Sequence, residues 1–315
     1  MAQARPSPFT PDAAPVYAFI GVAVAILPVL LTAAGLRIAG DQFGVLFGVL
    51  IFLAWAAMCL RGRKLAQLAT AIEGWAALTA ICLLVTLATF ALGTGQRPLV
   101  DDLLARADRL LLPGFDWPAA MERFARSGWP AGVANLAYAS IEWQPQMLIL
   151  LLSLTAEHRR VWHFLLSWAA ALGIVLVGFA LFPALGAYAH FGIRAAEVPA
   201  MVDPTPWRQP AILAALRGGT LRLIDMGSLD GIVQFPSFHA GAAVILAHGF
   251  WRIRLLRWPF AALNALMFAS AVPVGGHYVV DLLAGTVTAA AGIRIASWLS
   301  AMGPRVWRSR PLAPT

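Results

Sequence analysis

Residues 277–300 read HYVVDLLAGTVTAAAGIRIASWLS. The stretch is apolar on all sides rather than along one stripe, and it reaches the roughly 20 residues that an α-helix needs to cross a bilayer. A soluble helix of this length would carry a polar face. Its opening is different in kind, because His277 and Asp281 stand there four positions apart. An ionisable residue at a membrane boundary is costly unless it is paired or used.

The rest of the chain repeats the pattern. Of its 315 residues, 60% are hydrophobic and only 12% charged, against about a quarter charged in ordinary soluble domains. Eight candidate spans follow, near 16–36, 43–60, 69–92, 131–155, 161–186, 237–251, 257–274 and 277–300. The sequence therefore predicts an all-α, polytopic helical membrane protein. Residues 1–15 form a polar tail, 16–300 a single membrane domain and 301–315 a basic tail. The first apolar run is too long for a signal peptide and lacks an obvious cleavage site, so it reads as a retained span.

The charge of +8 does not point to nucleic acid. Lys64 is the only lysine, and the arginines cluster between apolar runs. Arg61, Arg63 and Lys64 follow the second span, and His158, Arg159 and Arg160 the fourth. Arg252, Arg254 and Arg257 follow the sixth, and Arg305, Arg308 and Arg310 the eighth. Alternate connections lie on one face, which the positive-inside rule makes cytoplasmic, together with both termini. Cys59 and Cys82 fall in or beside apolar spans and read as packing residues, with no disulfide or metal framework. No cofactor and no metal is expected.

Two long connections lie on the opposite face. In residues 93–130, the segment 99–112 (LVDDLLARADRLLL) has helical spacing. It reads equally as an amphipathic helix on the membrane surface or as a capping helix. Residues 187–235 are rich in Pro and Gly and hold Arg194, Arg208, Arg217 and Arg222; a loop this long in a compact domain is usually functional.

That second loop leads into Phe235-Pro236-Ser237-Phe238-His239-Ala240-Gly241. His239 begins the sixth span and His277 the eighth, both on the non-cytoplasmic side. Pro236 suits a first helical turn, Ser237 a cap, and the free N–H groups there an anion such as phosphate. Gly275 and Gly276 permit close backbone approach. His277 and Asp281 share one helix face. The carboxylate is placed to accept the Nδ1 proton and leave Nε2 nucleophilic.

These residues resemble the type 2 phosphatidic acid phosphatase superfamily. Its second motif, P-S-G-H, is matched by Pro236-Ser237-Phe238-His239. Its third, S-R-x-x-x-x-x-H-x-x-x-D, is matched by Ser270-Ala271 followed by His277 and Asp281. Phe238 replaces Gly, Ala271 replaces Arg, and the lysine-bearing first motif is absent. These departures resemble the inositolphosphotransferase, or inositol phosphorylceramide synthase, branch, with its F-P-S-x-H-A and G-x-H-Y-x-x-D-x-x-A-G patterns.

The resemblance implies a six-helix core and a membrane-embedded enzyme acting on a lipid phosphate or phosphodiester. His277 would be the nucleophile, Asp281 its orienting partner and His239 the general acid and base. Ser237 and Gly276 would contribute to binding the substrate. Positive charge is still required at the phosphoryl oxygens, and Arg208 and Arg222, then Arg217, are the expected sources. The competing expectation is a non-enzymatic lipid-binding or transport protein with a degenerate site. A transporter would more often carry charges in mid-span.

Overall fold

The computed structural model describes residues 11–200 and 202–306. Arg308 and Arg310 of the last basic cluster, and most of the N-terminal tail, lie outside them. Thirteen α-helices occur among the described residues. They are α1 (Ala14–Ala33), α2 (Gly40–Gly62), α3 (Ala66–Gly93), α4 (Asp101–Leu111), α5 (Trp117–Ala125), α6 (Trp129–Ala139), α7 (Gln144–Leu154), α8 (His158–Leu181), α9 (Ala187–His190), α10 (Thr205–Arg217), α11 (Phe238–Phe250), α12 (Arg257–Ser270) and α13 (Val279–Val306). Two short strands, β1 (Arg37–Ile38) and β2 (Leu223–Ile224), pair in parallel and tie the α1–α2 connection to the loop before α11.

Helices α1, α2, α3, α8 and α13 are long and apolar enough to cross a membrane, and the protein is a polytopic helical membrane protein. Helices α3 and α8 are the most enclosed, while α1 and α2 turn most of their surface outward. Helix α3 packs against α1, α2, α7 and α8, and α13 lies between α8 and α11. Helix α11 in turn packs on α12, and α12 on α6.

The three remaining predicted spans are shorter than the sequence suggests. The fourth is two helices, α6 and α7, separated by a 3-10 turn at Ser140–Glu142. Pro145 has no N–H to return to residue 141 and so interrupts the ladder. A buried polar network holds the break against α12. Gln144 Nε2 donates to Ser140 Oγ at 2.7 Å, and Asn264 Nδ2 donates to Gln144 Oε1 at 2.8 Å. The sixth span, α11, has 13 residues, and the seventh, α12, has 14. At ~1.5 Å per residue each is about 20 Å long, shorter than the roughly 30 Å of a bilayer core.

The described basic clusters gather at one end of the bundle. Arg61 pairs with Glu73 near the start of α3. Gln67 Nε2 donates to Leu154 O at the end of α7, and Arg160 Nη2 to Gly249 O at the end of α11. The starts of α11 and α13, with both histidines, lie at the other end.

Helix α4 packs against the start of α13 rather than standing as a solvated cap. Asp101, Leu104, Ala105 and Asp108 form its buried face, the i, i+3, i+4, i+7 spacing of a helix stripe. Carboxylates are tolerated there because each satisfies backbone donors. Asp101 accepts from the N–H groups of Leu185 and Gly186 and from Tyr278 Oη at 3.2 Å. Asp108 accepts from Val279 N and Val280 N, each at 2.8 Å. These are orphan donors of the first turn of α13, and a negative charge there also suits the helix dipole. Burial pushes the Asp108 carboxyl above the ordinary range, and the two N–H donors pull it back.

Asp108→Ala is expected to leave those two buried donors unpaired and to cost about 2–4 kcal/mol. The thermal unfolding midpoint of the purified protein reads this directly. An unchanged midpoint would remove the cap from the account.

Candidate active site

The two histidines are positioned by the starts of α11 and α13. Ser237 is the N-cap of α11, and its Oγ accepts from Ala240 N at 3.3 Å, as capping serines do. Its own N–H donates to Asp281 O at 3.1 Å, which bolts the two helix starts together. Pro236 lies just before the cap rather than in the first turn, against Gly178 of α8. His239 is the second residue of α11. Its ring stacks on Tyr138 of α6, with centroids 3.8 Å apart and planes 10° apart.

His277 lies two residues before α13, not on its first turn, so it and Asp281 do not share a helix face. They meet nonetheless. Gly276 has φ +67°, a conformation glycine adopts without steric cost, and its carbonyl accepts from Ala187 N. This turn aims the His277 ring back toward the helix start. Asp281 is the third residue of α13. Its Oδ2 accepts from Tyr278 N at 2.9 Å and lies 3.2 Å from His277 Nδ1. One carboxylate oxygen therefore caps the helix and holds the imidazole. An ionised carboxylate only accepts, so Nδ1 carries the proton and Nε2 is left with a free lone pair. His277 is 4% exposed and Asp281 is fully buried.

His239 and His277 line one cavity of about 370 Å³. Its inner wall is apolar, with Val85 of α3, Leu172 and Leu176 of α8, and Phe238. Polar groups line it from the segment before α11, through Asp203, Gln209 of α10 and Asp230. Tyr138 stands beside both imidazoles: its ring stacks on His239, and its Oη and His277 Cδ2 both flank Gly275. Tyr138, Asp203 and Asp230 were not found from sequence. A tyrosine in an apolar span reads as packing, and two aspartates far apart in a loop carry no periodic signal.

The remaining expected site residues occupy different places. Ser237 spends its hydroxyl on the cap, and Gly276 abuts the Tyr188 ring; neither lines the cavity. Arg208 Nη2 lies 3.0 Å from Asp230 Oδ2, and it also donates to Gly227 O. Burial raises the Asp230 carboxyl, Arg208 draws it down and nearby Asp203 raises it again. Arg217 is fastened to the carbonyls of Gly95 and Arg97. Arg222 Nη1 donates to Ala34 O, beside β1. Neither of these two arginines lines the cavity. Among the described residues, no group of three or more His, Cys, Asp or Glu stands together as a metal site.

The arrangement contains an imidazole whose tautomer is set by a carboxylate, with a second imidazole in the same cavity. That equips it for nucleophilic attack followed by proton transfer to a leaving group. One protein-family model, described as the PAP2 superfamily, matches residues 102–309 and thus spans both histidines. No curated protein and no solved structure matches the chain.

Proposed function

The chain belongs to the PAP2 superfamily, and from that premise we propose that it is an integral-membrane phosphoryl-transfer enzyme for lipid phosphates or phosphodiesters. The observation that carries the reading is His277, held through Nδ1 by Asp281, lining the same cavity as His239. His277 Nε2 attacks phosphorus and forms a P–N bond as the P–O bond to the lipid alkoxide breaks. His239, in its protonated form, gives its proton to that alkoxide. It then takes a proton from the acceptor, whose oxygen displaces the phosphohistidine and restores His277. Asp281 stabilises the imidazolium while the phosphoryl group is attached.

The acceptor is water in a phosphatase and an alcohol in a transferase. The Phe235–Ala240 and Gly275–Gly285 patterns favour the inositolphosphotransferase-like branch. Asp203, Gln209 and Asp230, which line the cavity, are suitable partners for acceptor hydroxyls. The basic clusters at the far end of the bundle support a reading in which the histidines face the non-cytoplasmic side of a plasma or inner membrane.

The testing experiment incubates purified protein with labelled lipid phosphate, with and without diacylglycerol, ceramide or inositol lipid. An acid-labile, base-stable phosphoenzyme is expected, with label passing to the alcohol. Free phosphate as the only product would eliminate the transferase, and no phosphoenzyme in any condition would eliminate the mechanism.

Of the three expected arginines, Arg208 is the one whose ion-pair partner lines the cavity. We assign it to the phosphoryl oxygens, with Asp230 as its partner between turnovers. Arg208→Ala should lower kcat/KM by about 10²-fold, the size of one lost charge-stabilising contact, with membrane insertion intact. Unchanged kinetics would take Arg208 out of the site.

A further inference from the structure

A second cavity, of about 480 Å³, opens at the end of the bundle away from the histidines. Three regions of the chain supply most of its polar lining. Arg159, Arg160 and His163 come from the start of α8, His248 and Arg252 from the end of α11, and Ser297 and Ser300 from the last turns of α13. Asp12 also lines it, and among the described residues it is the one carboxylate to do so; Arg159 Nε pairs with it at 3.3 Å.

The cationic groups are arranged, not merely crowded. Arg160 is anchored by one bond, from Nη2 to Gly249 O at 2.9 Å, which leaves its other N–H donors available. The imidazoles of His163 and His248 face each other, with centroids 6.2 Å apart. Ser297 donates to Ile293 O, so its Oγ accepts from His163 Nε2 at 3.0 Å. Among the described residues Arg252 has no ion-pair or hydrogen-bond partner. Charges that only set topology need to lie in connecting loops. Imidazoles from two spans and hydroxyls from a third, turned into one cavity with three arginines, go beyond that need. Guanidinium forks and imidazoles match the oxygens of a phosphate group.

Tryptophans stand near the residues of this cavity. Trp251 and Trp258 pack edge to face at 5.3 Å just beyond α11. Trp298, next to Ser297, is exposed. Tryptophans mark the membrane interface, where lipid phosphates are the most abundant anions.

We propose that this cavity binds the phosphate of an anionic lipid headgroup from the leaflet opposite the histidines. Arg160 and Arg252 would take the phosphate oxygens, and His163 and His248 would close the sides. The assignment is independent of the chemistry at His277.

The test measures the thermal unfolding midpoint of the full chain in mild detergent, with added short-chain phosphatidylglycerol, phosphatidylcholine or inorganic phosphate. A ligand that binds the folded state raises the midpoint. In the wild type, phosphatidylglycerol is expected to give a clear rise and phosphatidylcholine little. The phosphatidylglycerol rise should at least halve in Arg252→Gln and fall further in Arg252→Glu. Arg252 is exposed and unpartnered, so neither variant threatens folding, and His248→Gln gives a second reading on a different helix position. Any binding of phosphatidylglycerol at the histidine end is common to all these proteins and drops out of the comparison. A full rise retained in all three variants overturns the proposal. So does an equal rise with phosphatidylcholine. A rise with inorganic phosphate that matches the lipid and is lost in Arg252→Glu also overturns it, because it assigns the cavity to free phosphate.

Discussion

His277→Ala is expected to lower turnover of lipid phosphate by about 10⁴-fold or more, the scale on which an enzyme loses a nucleophile that works as part of a unit. The phosphoenzyme should vanish with it. Three features concentrate the effect on this residue. The ring is buried, its Nδ1 is committed to Asp281, and its position comes from the Gly276 turn rather than from a helix that would tolerate small shifts. Alanine also takes the imidazole partner from the buried Asp281 carboxylate, so a lower unfolding midpoint is expected alongside the loss, and turnover is compared at a temperature where the variant stays folded. Rapid quench with labelled substrate, followed by counting of acid-labile protein-bound phosphate, provides the readout. A variant that still turns over at the wild-type rate would sink the catalytic assignment of His277.

The second large effect arises away from the reacting groups. Helices α11 and α13 cross at Gly285, where an added Cβ would stand 2.2 Å from Ser237 O and 3.2 Å from both Ala240 Cβ and Gly241 N. The nearest of these is a backbone atom and cannot rotate away. Gly285→Ala must therefore push the two helix starts apart by about 1 Å, since C···O contacts settle near 3.3 Å or beyond. The Ser237 N to Asp281 O bond that joins them would stretch or break. A displacement of that size between catalytic groups costs about 10²-fold in rate, and overpacking of this kind costs about 1–3 kcal/mol in stability. Gly44→Ala and Gly48→Ala in α2 are the matched controls, because nothing lies within 4 Å of a Cβ at either. Both should be silent. Wild-type turnover in Gly285→Ala would show that the crossing does not set the distance between the histidines.

Much of the architecture was legible in the sequence because a bilayer imposes one simple rule on each span. A run such as 277–300 must hide its backbone bonds in a helix and face lipid with carbon. The alternation of basic clusters then places the ends. Where local chemistry departs from that rule, the reading of spans fails in a definite way. Residues 131–155 are apolar enough for one span. They break at Ser140–Glu142 because Pro145 withholds a donor and because Asn264, from α12, supplies a partner for Gln144. The first cause is in the sequence; the second is not. The segment 99–112 left two readings open for a similar reason. Its carboxylates could not be placed until the donors at residues 185, 186, 279 and 280 were known to lie beneath them.

The sequence alone determined that the chain is a bundle of membrane helices, that both histidines reach the same end of it and that His277 and Asp281 form a pair. The first two conclusions depend on hydropathy and parity of the spans, which are local or additive along the chain; the pair forms through the Gly276 turn rather than through the shared helix face that its four-residue spacing implied. Tertiary structure alone decided that Tyr138 stacks on His239, that Asp203 and Asp230 line the cavity and that Arg217 and Arg222 are tied to backbone carbonyls elsewhere. Where a loop arginine or aspartate points depends on which orphan backbone groups and opposite charges fold next to it. A loop has no period from which that direction could be read.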